Sequence, residues 1–252
     1  MDDAVERIAQ SVLYEGFLLW PYQSRKHDDR QRFTIGGLYP RTYARHSNDR
    51  SEASFDCLVE GSATEIDVEV HFLHAIRRQV TECGRFVDRA FAGGELLATW
   101  DETFERRVVL DGWSSPHALL PFTFDAMRYD ERVDDNVTLV RTCEGISGAL
   151  DCSTVPLEGG CRRVEIRIVN TTPSNAADRN EALRQTLIAC NVRVGVRNGA
   201  FVSTIDPPRH FHDARYYCHR DGLWPVLVGT PPARNTLLAS AMLLQEYPEV
   251  EE

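Results

Sequence analysis

The stretch Glu65-Ile-Asp-Val-Glu-Val-His-Phe-Leu-His-Ala-Ile76 carries the clearest structural signal in the chain. Ile66, Val68, Val70, Phe72 and Ile76 fall on one side of an extended backbone, and Glu65, Asp67, Glu69 and His71 on the other. A period of two residues is that of a β-strand. Alternation, rather than a continuous apolar run, predicts one buried and one wet face, the pattern of an antiparallel sheet. Arg163–Thr172 repeats it, with Val164, Ile166 and Ile168 inward and Glu165 and Arg167 outward. Thr103–Leu110, Val137–Cys143 and Leu223–Gly229 read as further strands, as do Leu13–Trp20, closed by Pro21, and Arg32–Tyr39, closed by Pro40.

Around these lie the turn and helix signals. Val192–Ile205 reads as a hairpin about Asn198-Gly199, a pair that tolerates positive φ at both residues, with Val196 opposite Phe201 and Val192 opposite Ile205. Residues 3–11 predict a short helix: Asp3 can cap it, Glu6 follows three residues later, and Val5, Ile8 and Val12 recur at helical spacing. A second helix is expected over 180–190, with Leu183, Leu187 and Ile188 on its apolar face. Residues 24–31 and 41–53 read as polar loops. Many short strands and two helices predict a mainly β fold: an antiparallel β-sandwich or barrel-like core with an N-terminal helix and one helix near 180–190. The 252 residues are expected to form a single β-rich domain, with 111–136 as a long loop or a subdivision.

Composition narrows the partners. With 38 acidic and 28 basic residues the net charge is −10, which argues against a nucleic-acid binder, since that needs a basic face. The basic residues are nearly all Arg, with Lys26 the single Lys, a bias that coding composition explains by itself. The start Met1-Asp2-Asp3 lacks the basic region of a secretory signal, and the apolar run near it is broken by Glu15, Gly16 and Pro21. A cytoplasmic protein with no membrane insertion is the expectation. The odd count of seven Cys then argues against a disulfide framework. The glycosylation-like triplets at Asn136 and Asn170 read as coincidence.

Candidate chemistry is sparse. His210, His212, Cys218 and His219 are metal-ligand types for Zn, Ni or Fe, although their spacing matches no standard closed site. A polar loop or helix that happens to hold His is the plainer reading of the residues. Cys143, Cys152 and Cys161 are evenly spaced but lack the close pairs of cluster or zinc sites. Glu69 and His71 share a strand face, with His74 on the other, which suits a polar network better than catalysis. No nucleophile elbow, dinucleotide fingerprint or phosphate loop is found, and Gly36-Gly37 and Gly93-Gly94 read as turns or bulges. No cofactor is expected from motifs.

One resemblance adds to this. Leu13-Tyr-Glu-Gly-Phe-Leu-Leu-Trp-Pro-Tyr22, Arg32-Phe-Thr-Ile-Gly36, Val164–Pro173, Phe201–Pro208, Trp224-Pro-Val-Leu-Val-Gly229 and Leu243–Val250 occur in this order. Together they resemble an uncharacterised bacterial family encoded beside high-affinity uptake nickel–iron (NiFe) hydrogenases. The family continues past the Tyr247–Val250 segment with an acidic stretch and a helical region, whereas this sequence ends at Glu252. The resemblance implies a non-enzymatic accessory or assembly protein that binds a protein partner, a hydrogenase subunit or maturation factor, and supplies no catalytic residue. Tyr14, Trp20, Tyr22 and Trp224 are the aromatic candidates for that contact. The rivals are a small His/Cys metal-binding enzyme or metal carrier, and a β-sandwich that binds a small ligand.

Overall fold

The computed structural model of the chain describes residues 3–15, 34–61, 64–203, 205, 207–211 and 213–248. In chain order they form the helix α1 (Asp3–Glu15), the single turn α2 (Arg41–Ala44), and the strands β1 (Glu52–Glu60), β2 (Glu65–Glu82), β3 (Arg85–Val87), β4 (Arg89–Ala92), β5 (Glu95–Ala98) and β6 (Trp100–Trp113). Then come β7 (His117–Phe124), β8 (Met127–Arg132), β9 (Val137–Cys143), β10 (Ile146–Pro156) and β11 (Cys161–Asn170). The helix α3 (Arg179–Leu183) precedes β12 (Ile188–Arg197), β13 (Ala200–Val202), β14 (Arg220–Asp221), β15 (Trp224–Leu227) and β16 (Thr236–Ser240).

The fold is mainly β, and every strand pairing is antiparallel. Sheet I runs β13-β1-β11-β10-β7, with β14 beside β1. Sheet II runs β15-β16-β12-β2-β9-β8, and β6 and β3 hold the second edge of β2. The quoted stretch is the first two thirds of β2. Its inward row Ile66, Val68, Val70 and Phe72 packs in one core with Phe55, Cys57 and Val59 of β1, Ile166 and Ile168 of β11, and Val192 and Val194 of β12. Two inner faces of alternating strands thus close a sandwich.

The outer face of β2 is wet at its start, where Glu65 is exposed and Asp67 half-buried. Beyond them Glu69 and His71 are buried, and farther along Leu73 and Ala75 pack with Leu13, Tyr39, Leu183 and Ile188. Helix α1 lies over this side, its Val5, Ile8, Ala9 and Val12 packed on Val226, Val228 and Leu238. The helical stripe continues through Val12 and Leu13, so α1 reaches Glu15 and takes the first residues of the expected strand Leu13–Trp20. The rest of that strand lies outside the described residues. No helix among the described residues is long and apolar enough to cross a membrane.

Several expectations are corrected. Asn198-Gly199 does not close a hairpin. After it the chain leaves sheet II for sheet I, where Val202 pairs with Leu58 of β1, while β12 stays between β2 and β16. Only Asn198 has positive φ, at 57°. Gly199 answers a close approach, since a Cβ there would stand 2.7 Å from the Glu60 carbonyl oxygen. Two-residue turns with positive φ at both positions occur instead at Cys83-Gly84 and Gly93-Gly94. The helix over 180–190 stops at Leu183: Asp178 caps it at the Glu181 N–H, but Leu187 bonds back to Leu38 and Ile188 begins β12. Of Arg32–Tyr39, residues 34–39 hold only two isolated bridges, both at Leu38, to Leu187 and Arg50, Gly36 having φ of 71°. Residues 41–53 contain α2, and 111–136 contain β7 and β8, which join different sheets.

Asn170 ties the loops to this frame. It is fully buried, donates to the carbonyls of Leu38 and Gln185 (2.8 Å each) and accepts from the Thr172 N–H (2.9 Å). Asn170→Ala should cost about 3 kcal/mol, since the buried Thr172 N–H and the half-buried Gln185 carbonyl lose this partner and the Leu38 carbonyl keeps only the Leu187 N–H. Urea unfolding of the variant beside the unsubstituted chain checks this.

Candidate functional site

The outward row of β2 meets charge from both neighbours. Across from Glu65, Asp67, Glu69 and His71 stand Arg197, Gly195, Arg193 and Asn191 of β12. Arg193 reaches Glu69 at 2.5 Å and Glu6 of α1 at 3.4 Å, and Arg107 of β6 donates to the other Glu69 oxygen. His71 Nε2 lies 3.3 Å from Glu69. Burial works to raise the Glu69 carboxyl, but Arg193 and the bonds from Arg107 and His71 outweigh it and hold the group below its ordinary range. One strand position along, Arg197 bridges Asp67 and Asp111. Gly195 places no side chain between the two arginines, and a cavity of about 510 Å³ opens above it, lined by Asp67, Glu69, Asp111, Arg193, Asn235 and Thr236 among others. Asn191, fully buried beside His71, leaves its Oδ1 without a hydrogen bond.

His74 points the opposite way, into the sandwich. Its Nε2 faces the Glu144 carbonyl at 2.9 Å, and its Nδ1 faces Arg106 Nε at 3.4 Å. A carbonyl only accepts and a guanidinium only donates, so the ring is neutral with the proton on Nε2. Burial, followed by the Arg106 charge, lowers its pKa to about 4.

The expected metal ligands are placed as follows. Cys218 and His219 lie next to one another before β14, with Cys218 half-buried and His219 exposed. His219 donates its backbone N–H to the buried Asp56 carboxylate at 3.0 Å. Burial and then the Asp56 charge push the Cys218 thiol up to about 11, which opposes the thiolate that a metal needs. His210 sits in a short 3-10 turn, Arg209–Phe211, and His212 lies outside the described residues. No group of three or more His, Cys, Asp or Glu among the described residues is arranged to hold a metal ion. The evenly spaced cysteines separate: Cys143 ends β9 in sheet II, Cys152 is in the main core, and Cys161 packs with Leu58, Val202 and Phe211.

Of the aromatic candidates, Tyr14 is 55% exposed at the end of α1, and its hydroxyl donates to Glu105 of β6. Trp224 is half-buried and lines a second cavity of about 310 Å³ beside Gly36, Arg50 and Cys190. Trp20 and Tyr22 lie outside the described residues. Sequence reasoning missed a more exposed apolar surface, the β4–β5 hairpin. There Ala90, Ala92 and Leu97 turn inward, while the cross-strand partners Phe91 and Leu96 stand 70% and 62% exposed. The signal was present as alternation in Ala90-Phe-Ala-Gly-Gly-Glu-Leu-Leu97, but its usual reading buries the large residues.

Compared with protein-family models and with curated proteins, the chain matches none.

Because His74 is neutral in the fold and free to charge once unfolded, acidification favours the unfolded chain. Stability tied to it is complete above pH 6.5 and lost as pH falls from 6.5 to about 4. The loss should approach about 3 kcal/mol, and His74→Gln should remove that part of the slope. Chemical denaturation across that pH range measures it.

Proposed function

We propose that this chain is a non-enzymatic, cytoplasmic accessory protein that docks a protein partner. The family resemblance makes a NiFe hydrogenase subunit or maturation factor the partner to test. The carrying observation is the β4–β5 hairpin, which inverts the usual economy of an amphipathic strand pair. Small Ala90 and Ala92 face the core, while Phe91 and Leu96 face solvent as neighbours. Large apolar side chains gathered outward mark a contact surface rather than a fold requirement. The thiols support the non-enzymatic reading: burial pushes Cys152 and Cys190 up to about 12 and Cys57 well above its ordinary value. Thiols so held are poor nucleophiles.

Affinity capture from the native cell, read for hydrogenase subunits and maturation proteins, tests the proposal. Phe91→Ser with Leu96→Ser should abolish co-purification and leave the melting temperature within about 2 °C, since neither residue is buried. If the unsubstituted chain never captures these proteins, the partner assignment fails.

The 510 Å³ cavity favours a second reading, a small polar ligand on the outer face of sheet II. A thermal-shift panel of polar metabolites separates the two. A ligand that raises the melting temperature of the unsubstituted chain and not of Gly195→Leu places binding in that cavity.

A further inference from the structure

The cavities of the molecule differ in whether their charged groups are already engaged. Above Gly195, the groups Asp67, Glu69, Asp111 and Arg193 pair among themselves and with Arg197, Arg107 and Glu6. Beside Trp224, Arg50 pairs with Asp221 and Asp49 with Arg179. A further cavity, of about 240 Å³, is unlike both. It lies between the β9–β10 turn, the loop before α3 and the end of that helix, and is lined by Glu144, Asn175, Ala176, Glu181, Arg184 and Gln185. The Arg184 side chain makes no hydrogen bond or ion pair among the described residues, and its Nε is buried without an acceptor. The carboxylate of Glu144 and the side-chain amides of Asn175 and Gln185 are likewise uncommitted among the described residues. Glu181 gives one oxygen to the Ala177 N–H (2.9 Å).

The backbone around these groups is pinned. The Ser174 carbonyl accepts from Thr42 Oγ1 at 2.8 Å, and its hydroxyl accepts from the Ala176 N–H at 3.2 Å. Asp178 caps α3, Asn170 holds the Gln185 carbonyl, and His74 Nε2 faces the Glu144 carbonyl. Fixed walls that present free polar head groups are the construction of a preformed polar site. The charges then choose the ligand. A lone anion drawn to Arg184 would meet Glu144 and Glu181, and a lone cation drawn to those carboxylates would meet Arg184. We propose that this cavity binds a small zwitterion, a free α-amino acid, with its carboxylate on Arg184 and its ammonium on Glu144. The guanidinium supplies paired donors to a carboxylate, and the amides of Asn175 and Gln185 can donate or accept beside it. The volume lies below the roughly 300–1,000 Å³ of sites for drug-sized ligands, which suits an amino acid. The site is separate from the β4–β5 hairpin and from the cavity above Gly195.

Thermal shift of the full chain against each standard amino acid at about 10 mM tests this. At least one should raise the melting temperature by about 2–4 °C. Its methyl ester and its N-acetyl derivative, each lacking one of the two charges, should not. By calorimetry, Arg184→Gln and Glu144→Gln should each weaken binding about tenfold or more. Neither should lower the melting temperature of the unliganded chain by more than about 2 °C, since each head group is unpaired in it. Gly195→Leu obstructs the other cavity and should leave the shift intact. The absence of a shift with any amino acid, a derivative that binds as tightly as its parent, binding unaffected by Arg184→Gln, or a shift lost with Gly195→Leu overturns the proposal.

Discussion

Eighteen residues of β2 must satisfy their backbone on both edges, and the architecture follows from how this is met. No one neighbour spans that length. On one edge β12 pairs from Glu65 to Leu73 and β9 takes over from Arg77. On the other, β6 pairs as far as Arg78 and β3 continues from Val80. The two strands on the first edge arrive from distant parts of the chain, and β2 holds them in one sheet. A bulge in β12 between Ile188 and Asn191, with Ala189 at φ of 52°, marks the end of the first partner. The three Asn170 hydrogen bonds fasten the loops beside it.

The charges on the outer row of β2 would oppose burial if they stood alone. They are tolerated because β12 and β6 bring arginines opposite them, and because α1 supplies Glu6 to the same network. A buried ion pair contributes less to net stability than to choosing one arrangement, since removing either partner leaves an uncompensated charge. Here the arrangement chosen is the position of α1 over sheet II. The apolar contacts of Val5, Ile8 and Val12 supply the adhesion, and the Glu6–Arg193–Glu69 chain supplies the register.

Legibility differed by kind of signal. β2, β9 and β11 could be read from their alternation, because apolar residues recur at every second position over much of each. β1 carries the same code in Ala53, Phe55, Cys57 and Val59, yet its polar alternates make it resemble the loop before it. The helix expected over 180–190 is cut short at Leu183 because Leu187 and Ile188 serve strand contacts at a spacing that also fits a helix. Of the site, Glu69 and His71 were visible as neighbours on one face. Arg107 and Arg193 were not, since they lie 38 and 124 positions beyond Glu69 in the numbering and meet it only across strands. The hairpin that displays Phe91 and Leu96 was hidden by the rule that large apolar residues turn inward.

Sequence alone determined that this is an antiparallel β protein with an acidic surface and an amphipathic N-terminal helix, because periodicity and charge are local properties of the chain. Tertiary structure decided which strands share a sheet, that the charged row of β2 is covered, and that the chain changes sheets at Asn198-Gly199. The reason is physical. A period of two says that a residue faces inward, but the partner across a sheet, or on the sheet opposite, is chosen by hydrogen bonding and packing among segments far apart in the chain. Asn198-Gly199 can serve a hairpin or a crossing, and only the positions of β1 and β16 beside β13 and β12 select the crossing.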